Sequence, residues 1–464
     1  MAVTHWYTGR NSTTSATVVV RANSTGNVPV IANGTTLQAA CDTAVNDGNA
    51  LVEFTGLTPG SQYSYTVDGV AGGVLRTMPA DDLPFWVALS SCWSIGSVDT
   101  LALQLVNPPT EGPQAALWAE IRTRLMGFFG LGDLVYMNVN GSVNGVSLLP
   151  IAGAGSSLTN AKDVNVRRAY YRAGRLHTGL KNLMRNVPSY ILKDDHEYDP
   201  DNGCYSTEWL QREYGGTPTT TDRDDAWLAA ATAWREWSIG NPEKEITAGI
   251  MGGPDYYRVH IANVEFFCTD LIHERDEIST PDGPSKRMLS ALQEEKLLND
   301  MIGSTATFKV WPSTKQFISS CGRNADGFTN LAGSTSEGYV NQLQRILANP
   351  RFPRAGTLGV TGDEHLESDL AVAEGMLGGS HAAISQISAG PATIEVITDP
   401  EDLLSYREGV RYKERDVSTL PQHGQNTYVL LRVLTDRIER YVLGSRYGLR
   451  YAGYVSTADN AVRR

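Results

Sequence analysis

The chain runs to 464 residues, 41% hydrophobic and 19% charged, with 45 Gly and 21 Pro; this is a globular composition, long enough for two domains. Its 39 basic residues stand against 51 acidic ones, a net charge of −12, which excludes tracking a nucleic-acid polymer or coating an anionic membrane, since both need a basic face. Small phosphorylated substrates stay open, because a bound cation reverses the sign of a local site.

No stretch approaches the ~18 apolar residues of a membrane span. Met1–Arg10 lacks a basic segment leading into an apolar one, so the residues fit either a cytoplasmic protein or one whose export leader has been removed. Five cysteines, Cys41, Cys92, Cys204, Cys268 and Cys321, contain no close pair and form neither a disulfide framework nor a zinc cluster. At least one thiol is left over if the others pair.

Residues 1–82 read as all-β. Ala16–Ala22 and Ala50–Phe54 are short β-branched runs set between Asn, Gly, Ser and Thr clusters. Pro59-Gly60 then supplies a turn, after which Tyr63, Tyr65 and Val67 alternate onto one strand face. A corner turn feeding a Tyr-bearing strand predicts an immunoglobulin- or fibronectin-like sandwich, and the length accommodates its seven strands. After Asp81-Asp82 the pattern changes. Phe85–Ser90 is a continuous apolar run of the kind buried on both faces. Arg167–Arg185 and Ala226–Trp237 have helical spacing, while Ile191-Leu192, Tyr257–Cys268, Phe308–Trp311 and Leu358–Val360 are strand candidates. This alternation predicts a layered α/β domain over residues 83–464. The Gly-rich tract Val139–Ser157 reads as a long loop, often a functional feature in a compact domain. Trp6, Tyr7 and Trp93 are candidates for an aromatic rim, although core packing is the commoner fate of such residues. The basic, Tyr-rich segment Arg440–Arg464 suggests no role.

Polar clusters follow several of these strands, where α/β sheets place ligands. They are Ser91-Cys92-Trp93, Gly132-Asp133-Leu134-Val135-Tyr136, Asp194-Asp195-His196-Glu197 and Thr361-Gly362-Asp363-Glu364-His365. Each alone has a mundane reading: a buried thiol, a turn, a surface His. Together they supply hard oxygens, imidazole, phenolate and thiolate, the donors of a di-metal phosphoesterase. The run Asp194–Glu197 would repel itself without a cation nearby.

This ordered set resembles the PhoD-type alkaline phosphatases of the calcineurin-like metallophosphoesterase superfamily. The likeness covers nearly the whole chain: a fibronectin-like start, a Ser-Cys strand end, Gly-Asp-x-x-Tyr, a helix running into Asp-Asp-His-Glu, and a late Gly-Asp-x-His. Arg168–Glu197, Phe308–Ile318 with Asp326-Gly327-Phe328, and Gly338-Tyr339 are similar to further family blocks. The resemblance implies a two-sheet α/β sandwich flanked by helices. It also implies an iron(III)-type ion on Cys92, Asp133, Tyr136 and His365. Asp133 would bridge to a second ion, calcium, completed by Asp195 and Asp363, with Asn202 where the family carries Asn. His196, with Asp195 beside it, would act as proton donor or transition-state stabiliser, oriented by Asp194 or Glu197. The stretch Asp270–Arg275 departs from the family's Arg-containing motif, leaving Arg275 and Arg168 as candidates to grip phosphate. Export to the periplasm or outside the cell also follows from the resemblance.

Two adjacent cations would generate a hydroxide near neutral pH for in-line attack on phosphorus, while His196 protonates the leaving oxygen. Iron(III) on Cys92 and Tyr136 would colour the protein. The expected substrates are small phosphate esters, as monoesters or diesters. One alternative is a relative turned to phosphotriesters or phospholipid head groups, and another is a non-catalytic binding protein. The complete set of motif residues speaks for the enzyme.

Overall fold

The computed structural model describes residues 1–80, 84–93, 100–136, 142–143, 146–147, 157–175, 178–198, 203–317, 327–328, 338–363, 368–372, 380, 382, 384–389, 427–444, 448–456 and 462–463.

Alternation of apolar and polar residues builds the N-terminal strands. In Gly26–Ala32, for instance, Val28, Val30 and Ala32 are buried while Asn27 and Ile31 are exposed. Val3–Asn11, Ser15–Ala22 and Asn49–Thr55 form a three-stranded antiparallel sheet. Thr35–Cys41, Gly26–Ala32, Gln62–Val67 and Val70–Arg76 form a four-stranded one. Their inner faces share one core, with Val18, Val20, Val30, Phe54 and Tyr65 among its members. Each such fully buried side chain contributes roughly 1.5–3 kcal/mol of transfer free energy.

This β unit is fastened to the helices behind it. Tyr7 donates its hydroxyl to Trp237 O at 2.9 Å, Thr8 to Met184 O at 2.8 Å, and Arg76 Nε to Asn186 O at 2.8 Å. Buried Asp47 accepts from Arg21 Nε at 3.2 Å in the β unit and from Arg172 on the helix Val164–Gly174.

The remaining chain forms four layers. One sheet runs, in spatial order, Ser189–Leu192, Leu125–Leu131, Phe85–Ser90, Thr427–Val433, Arg437–Gly444, Gly448–Ser456 and Val462–Arg463. The other runs Tyr257–Ile261, Val264–Cys268, Phe308–Ser313, Thr357–Thr361, Ile384–Ser388 and Ser368–Val372. Phe85–Ser90 shows why its apolar run is continuous. Phe85, Val87 and Leu89 face the second sheet, whereas Trp86 and Ala88 face the helices. Between the sheets, Phe129, Leu131 and Leu192 meet Phe266, Val310 and Val360. The outer face of the second sheet packs Phe267 and Trp311 on Leu297 and Leu343 of the helices Ala291–Gly303 and Val340–Leu347.

Two elements differ from the sequence reading. Arg167–Arg185 is not one helix but parts of two, Val164–Gly174 and Thr178–Asn186. Gly174 ends the first where it passes Val135 so closely that a Cβ would stand 2.5 Å from Val135 Cγ1. Tyr257–Cys268 is a hairpin rather than a single strand, because Ala262 turns the chain at φ 50°. The Arg440–Arg464 segment supplies antiparallel edge strands to the first sheet. Trp6, Tyr7 and Trp93 are all buried and line no rim. No helix among the described residues is long and apolar enough to cross a membrane.

Candidate metal centre

Parallel pairing brings the strand ends together. Ser90 and Ile191 both register with Gly130, and Leu192 registers with Leu131. In the second sheet Ser313 registers with Thr361. The polar clusters that follow these strands therefore meet at one end of the two-sheet stack. The loops are stitched to one another, Cys92 N–H donating to Gly132 O at 3.2 Å and Trp93 N–H to Asp133 O at 2.9 Å.

Three residues here hold left-handed backbone conformations without being Gly: Cys92 at φ 60°, Asp133 at φ 56° and Asp363 at φ 69°. Such conformations cost about 1–3 kcal/mol each and persist where the surroundings impose them, commonly at functional sites. The Gly residues beside them are sterically required. Gly132 has φ 86°, and a Cβ there would lie 2.6 Å from Asp194 Cβ. A Cβ on Gly362 would lie 2.4 Å from Leu131 O.

The side chains converge on Asp133. Its Oδ2 accepts from Tyr136 OH at 3.1 Å and from Cys92 Sγ at 3.5 Å, and its Oδ1 has no hydrogen-bond partner among the described residues. Asp133, Asp195 and His196 offer ligand atoms within 4.8 Å of one another, as do Asp133, Asp194 and Asp363. The His196 ring packs against Tyr136 at a tilt of 37° with centroids 4.3 Å apart, and its Nδ1 has no partner among the described residues. Cys92, Asp133, Tyr136, Asp194 and Asp195 are buried, whereas His196 and Asp363 are partly exposed and mark the open side.

Glu197 does not orient His196. Its two oxygens instead receive backbone N–H groups: Asp133 at 3.0 Å, Asp194 at 2.7 Å, Val135 at 3.3 Å, and Leu134. Burial and the nearby Asp133 push the Glu197 carboxyl up to about 8, against these N–H groups, which pull it down. Donors arrive at both oxygens, which is the arrangement of the ionised, acceptor-only form. Glu197 thus fixes the backbone that carries Asp133.

Electrostatics test whether a cation fits. Burial, reinforced by Asp195, pushes Asp133 up to about 7. Burial also raises Asp194 well above the usual carboxylate range, against the pull of Lys315. The Cys92 thiol and Tyr136 phenol are raised by burial and then by the Asp133 charge. Lys315 offsets only part of this cost, since Asp133 and Asp194 stay raised despite it, and a metal ion would supply the remaining positive charge. With hard carboxylates, a phenol, a thiol and an imidazole around the unpartnered Asp133 Oδ1, the donor set suits a transition-type ion.

The structure gathers Cys92, Asp133, Tyr136, Asp195, His196 and Asp363 from the sequence reading. Asn202 and His365 lie outside the described residues. Arg168 is engaged elsewhere: its Nε donates to Glu236 Oε2 at 2.8 Å and its NH1 to Asn165 Oδ1 at 3.1 Å, pinning two helices together. Arg275 is buried, with Nε donating to Gly203 O at 2.9 Å. Asp270 is part of the scaffold, paired with Lys193 Nζ at 2.7 Å and accepting from the N–H groups of Ile272 and His273. Cys41, Cys92, Cys204 and Cys268 are buried free thiols, and Cys321 lies outside the described residues.

Sequence reading passed over two members of the cluster. Asp194 reads in the sequence as part of a self-repelling run and a partner of His196 rather than as a ligand, yet its oxygens face Asp133 and Asp363. Lys315 lies within the family-like block Phe308–Ile318, but nothing in Ser-Thr-Lys-Gln marks it as a member of the site. Its Nζ lies 3.2 Å from Asp194, 3.1 Å from Asp195 and 2.8 Å from Asp363.

Two packed sheets flanked by helices thus hold a carboxylate-rich cluster at their strand ends, a donor set suited to metal-assisted hydrolysis. The sequence model of the PhoD-like phosphatases matches residues 115–426, and the chain belongs to that family. It is a metal-dependent phosphoric ester hydrolase. A solved structure of PhoD is similar at 16% identity and TM-score 0.70, with 99% of this chain and 91% of that one covered. A purple acid phosphatase from seeds of yellow lupin (Lupinus luteus) is similar at 11% identity and TM-score 0.61, covering 98% and 74%. At these identities the likeness speaks to the fold. No curated protein sequence matches the chain.

Proposed function

We propose that the chain is a phosphatase or phosphodiesterase of small phosphate esters, with its metal held on Cys92, Asp133 and Tyr136. The observation that carries this reading is buried Asp133, whose Oδ2 meets a thiol and a phenol and whose Oδ1, near further carboxylates, has no hydrogen-bond partner among the described residues. An iron(III)-type ion suits these donors, and His365 would complete them. The calcium implied by the family resemblance would share Asp133, Asp195 and Asp363, of which the last two already pair with Lys315. When bound, the metal supplies an activated water and neutralises phosphoryl charge.

The chain's own residues do the rest. Glu197 holds the Asp133 loop through its backbone N–H groups, so the ligand geometry is set before substrate arrives. His196 stands at the open side against Tyr136, where its imidazole can deliver a proton to the leaving oxygen. Asp195, one residue before it, keeps its carboxylate turned to Lys315. Arg275 remains the candidate for contact with phosphate, whereas the Glu236 pairing argues for a structural Arg168. Residues 1–82 act as a separate β domain, fibronectin-like in its seven strands, that buttresses the catalytic unit of residues 83–464. Export, as the family resemblance implies, belongs to the same reading.

The test is phosphate release from an aryl phosphate monoester and from the matching diester, before and after chelation. Turnover that chelation abolishes and metal restores supports the reading, and the preferred ester names the subclass. Folded, metal-loaded protein that turns over neither ester contradicts it.

A further inference from the structure

Three carboxylates of the centre converge on one ammonium. Lys315 Nζ lies 2.8 Å from Asp363 Oδ1, 3.1 Å from Asp195 Oδ1 and 3.2 Å from Asp194 Oδ2, and its side chain is 1% exposed. The first two contacts are hydrogen bonds and the third is an ion pair.

The Lys is built in rather than swinging on a loop. It follows the strand Phe308–Ser313, and Ser313 Oγ donates to Lys315 O at 2.5 Å. Gln316 Nε2 donates to Gly362 O, and Phe317 N–H donates to Gln386 Oε1 at 2.8 Å. The two residues after Lys315 are therefore tied to the loop that carries Asp363 and to the strand Ile384–Ser388.

The two halves of the cluster consequently differ. On one side Asp133 meets Cys92 and Tyr136 and keeps Oδ1 without a partner among the described residues. On the other, the Asp195 and Asp363 oxygens that would ligate a second hard cation are turned to an ammonium. A dication on those same oxygens would stand within about 5 to 6 Å of Nζ, where like charges out of bulk water repel.

We propose that the centre binds a single metal ion, on Cys92, Asp133 and Tyr136, and that Lys315 supplies the positive charge of the second site. The proposal rests on the metal-dependent reading above. In this arrangement the buried ammonium offsets the charge of the carboxylates around it, and it offers none of the open coordination positions of a metal.

The test counts ions. Full-length protein is reconstituted with iron, dialysed, and its metal content measured by mass spectrometry. Calcium and manganese are then titrated in by calorimetry. Wild type is expected to hold one ion per chain and to bind neither added ion more tightly than about 1 mM. Lys315→Ser frees Asp195 and Asp363 and is expected to gain a second site, for a total of two. Lys315→Arg keeps the charge and is expected to stay at one. Two ions in wild type would overturn the proposal, a result independent of whether any variant folds. A single ion in a Lys315→Ser protein with the wild-type circular dichroism spectrum would overturn it as well. Absence of turnover on any ester would instead contradict the hydrolase reading and leave the ion count standing.

Discussion

Glu197 offers the sharpest mechanical test of the centre, because among the described residues its side chain bonds to backbone N–H groups and so sets the position of Asp133. Oε2 receives the N–H groups of Asp133 and Asp194, and Oε1 those of Leu134 and Val135. Glu197→Gln keeps the shape but turns one acceptor into an NH2 donor, so two buried N–H groups face another donor. Each buried, unsatisfied group costs about 1–3 kcal/mol, which gives about 2–6 kcal/mol for the pair. The displaced loop carries Asp133, so metal affinity should fall with it, by about 10–100-fold for a supporting residue of this kind. Denaturant unfolding of the metal-free protein reads the first effect, and competition with a chelator of known affinity reads the second. If Glu197→Gln unfolds at the wild-type midpoint and holds metal equally well, Glu197 does not position this loop.

Gly132→Ala should destabilise by about 2–5 kcal/mol, combining the cost of a side chain at φ 86° with a Cβ 2.6 Å from Asp194 Cβ; wild-type stability in an unfolding titration would contradict the crowding. Arg168→Ala should cost about 1.5–3 kcal/mol through its lost charged hydrogen bonds to Glu236 and leave KM unchanged, whereas a raised KM with full stability would restore the phosphate-gripping role. Burial pushes Asp133 up to about 7 in the fold, while in the unfolded chain it ionises near 4. The fold therefore keeps this proton after the unfolded state has lost it, and chelated protein loses stability as pH rises from about 4 through about 7. The melting temperature of chelated wild type should accordingly fall with pH relative to Asp133→Asn, and a parallel profile for the two would refute the assignment.

Much of this was legible in the sequence, for physical reasons. Phe85–Ser90 had to lie between two layers because both of its faces are apolar, and it does. Cys92, Asp133, Asp195 and Asp363 were visible because each follows a strand that ends at the same edge of the stack. Lys315 was not visible, since nothing in Ser-Thr-Lys-Gln announces three carboxylates brought in from other strands. Arg168 misled for the complementary reason: a guanidinium near a phosphate-type motif invites a phosphate, while its true neighbour, Glu236, lies 68 residues along the chain on another helix. Glu197 was read as a partner of its sequence neighbour His196, but its helical turn points it back at the Gly132-Asp133 loop. The hairpin at Ala262 was missed because Ala and Asn carry no strong turn signal when strand residues flank them on both sides.

The central claim is that the ion held around Asp133 is what makes this chain hydrolyse phosphate esters. The direct measurement titrates metal into chelated wild type and Asp133→Asn, following bound metal and phosphate release in the same samples. Turnover should rise in step with occupancy in wild type, and both should stay near baseline in Asp133→Asn. Ester hydrolysis that survives chelation, or that persists in Asp133→Asn without bound metal, would contradict it.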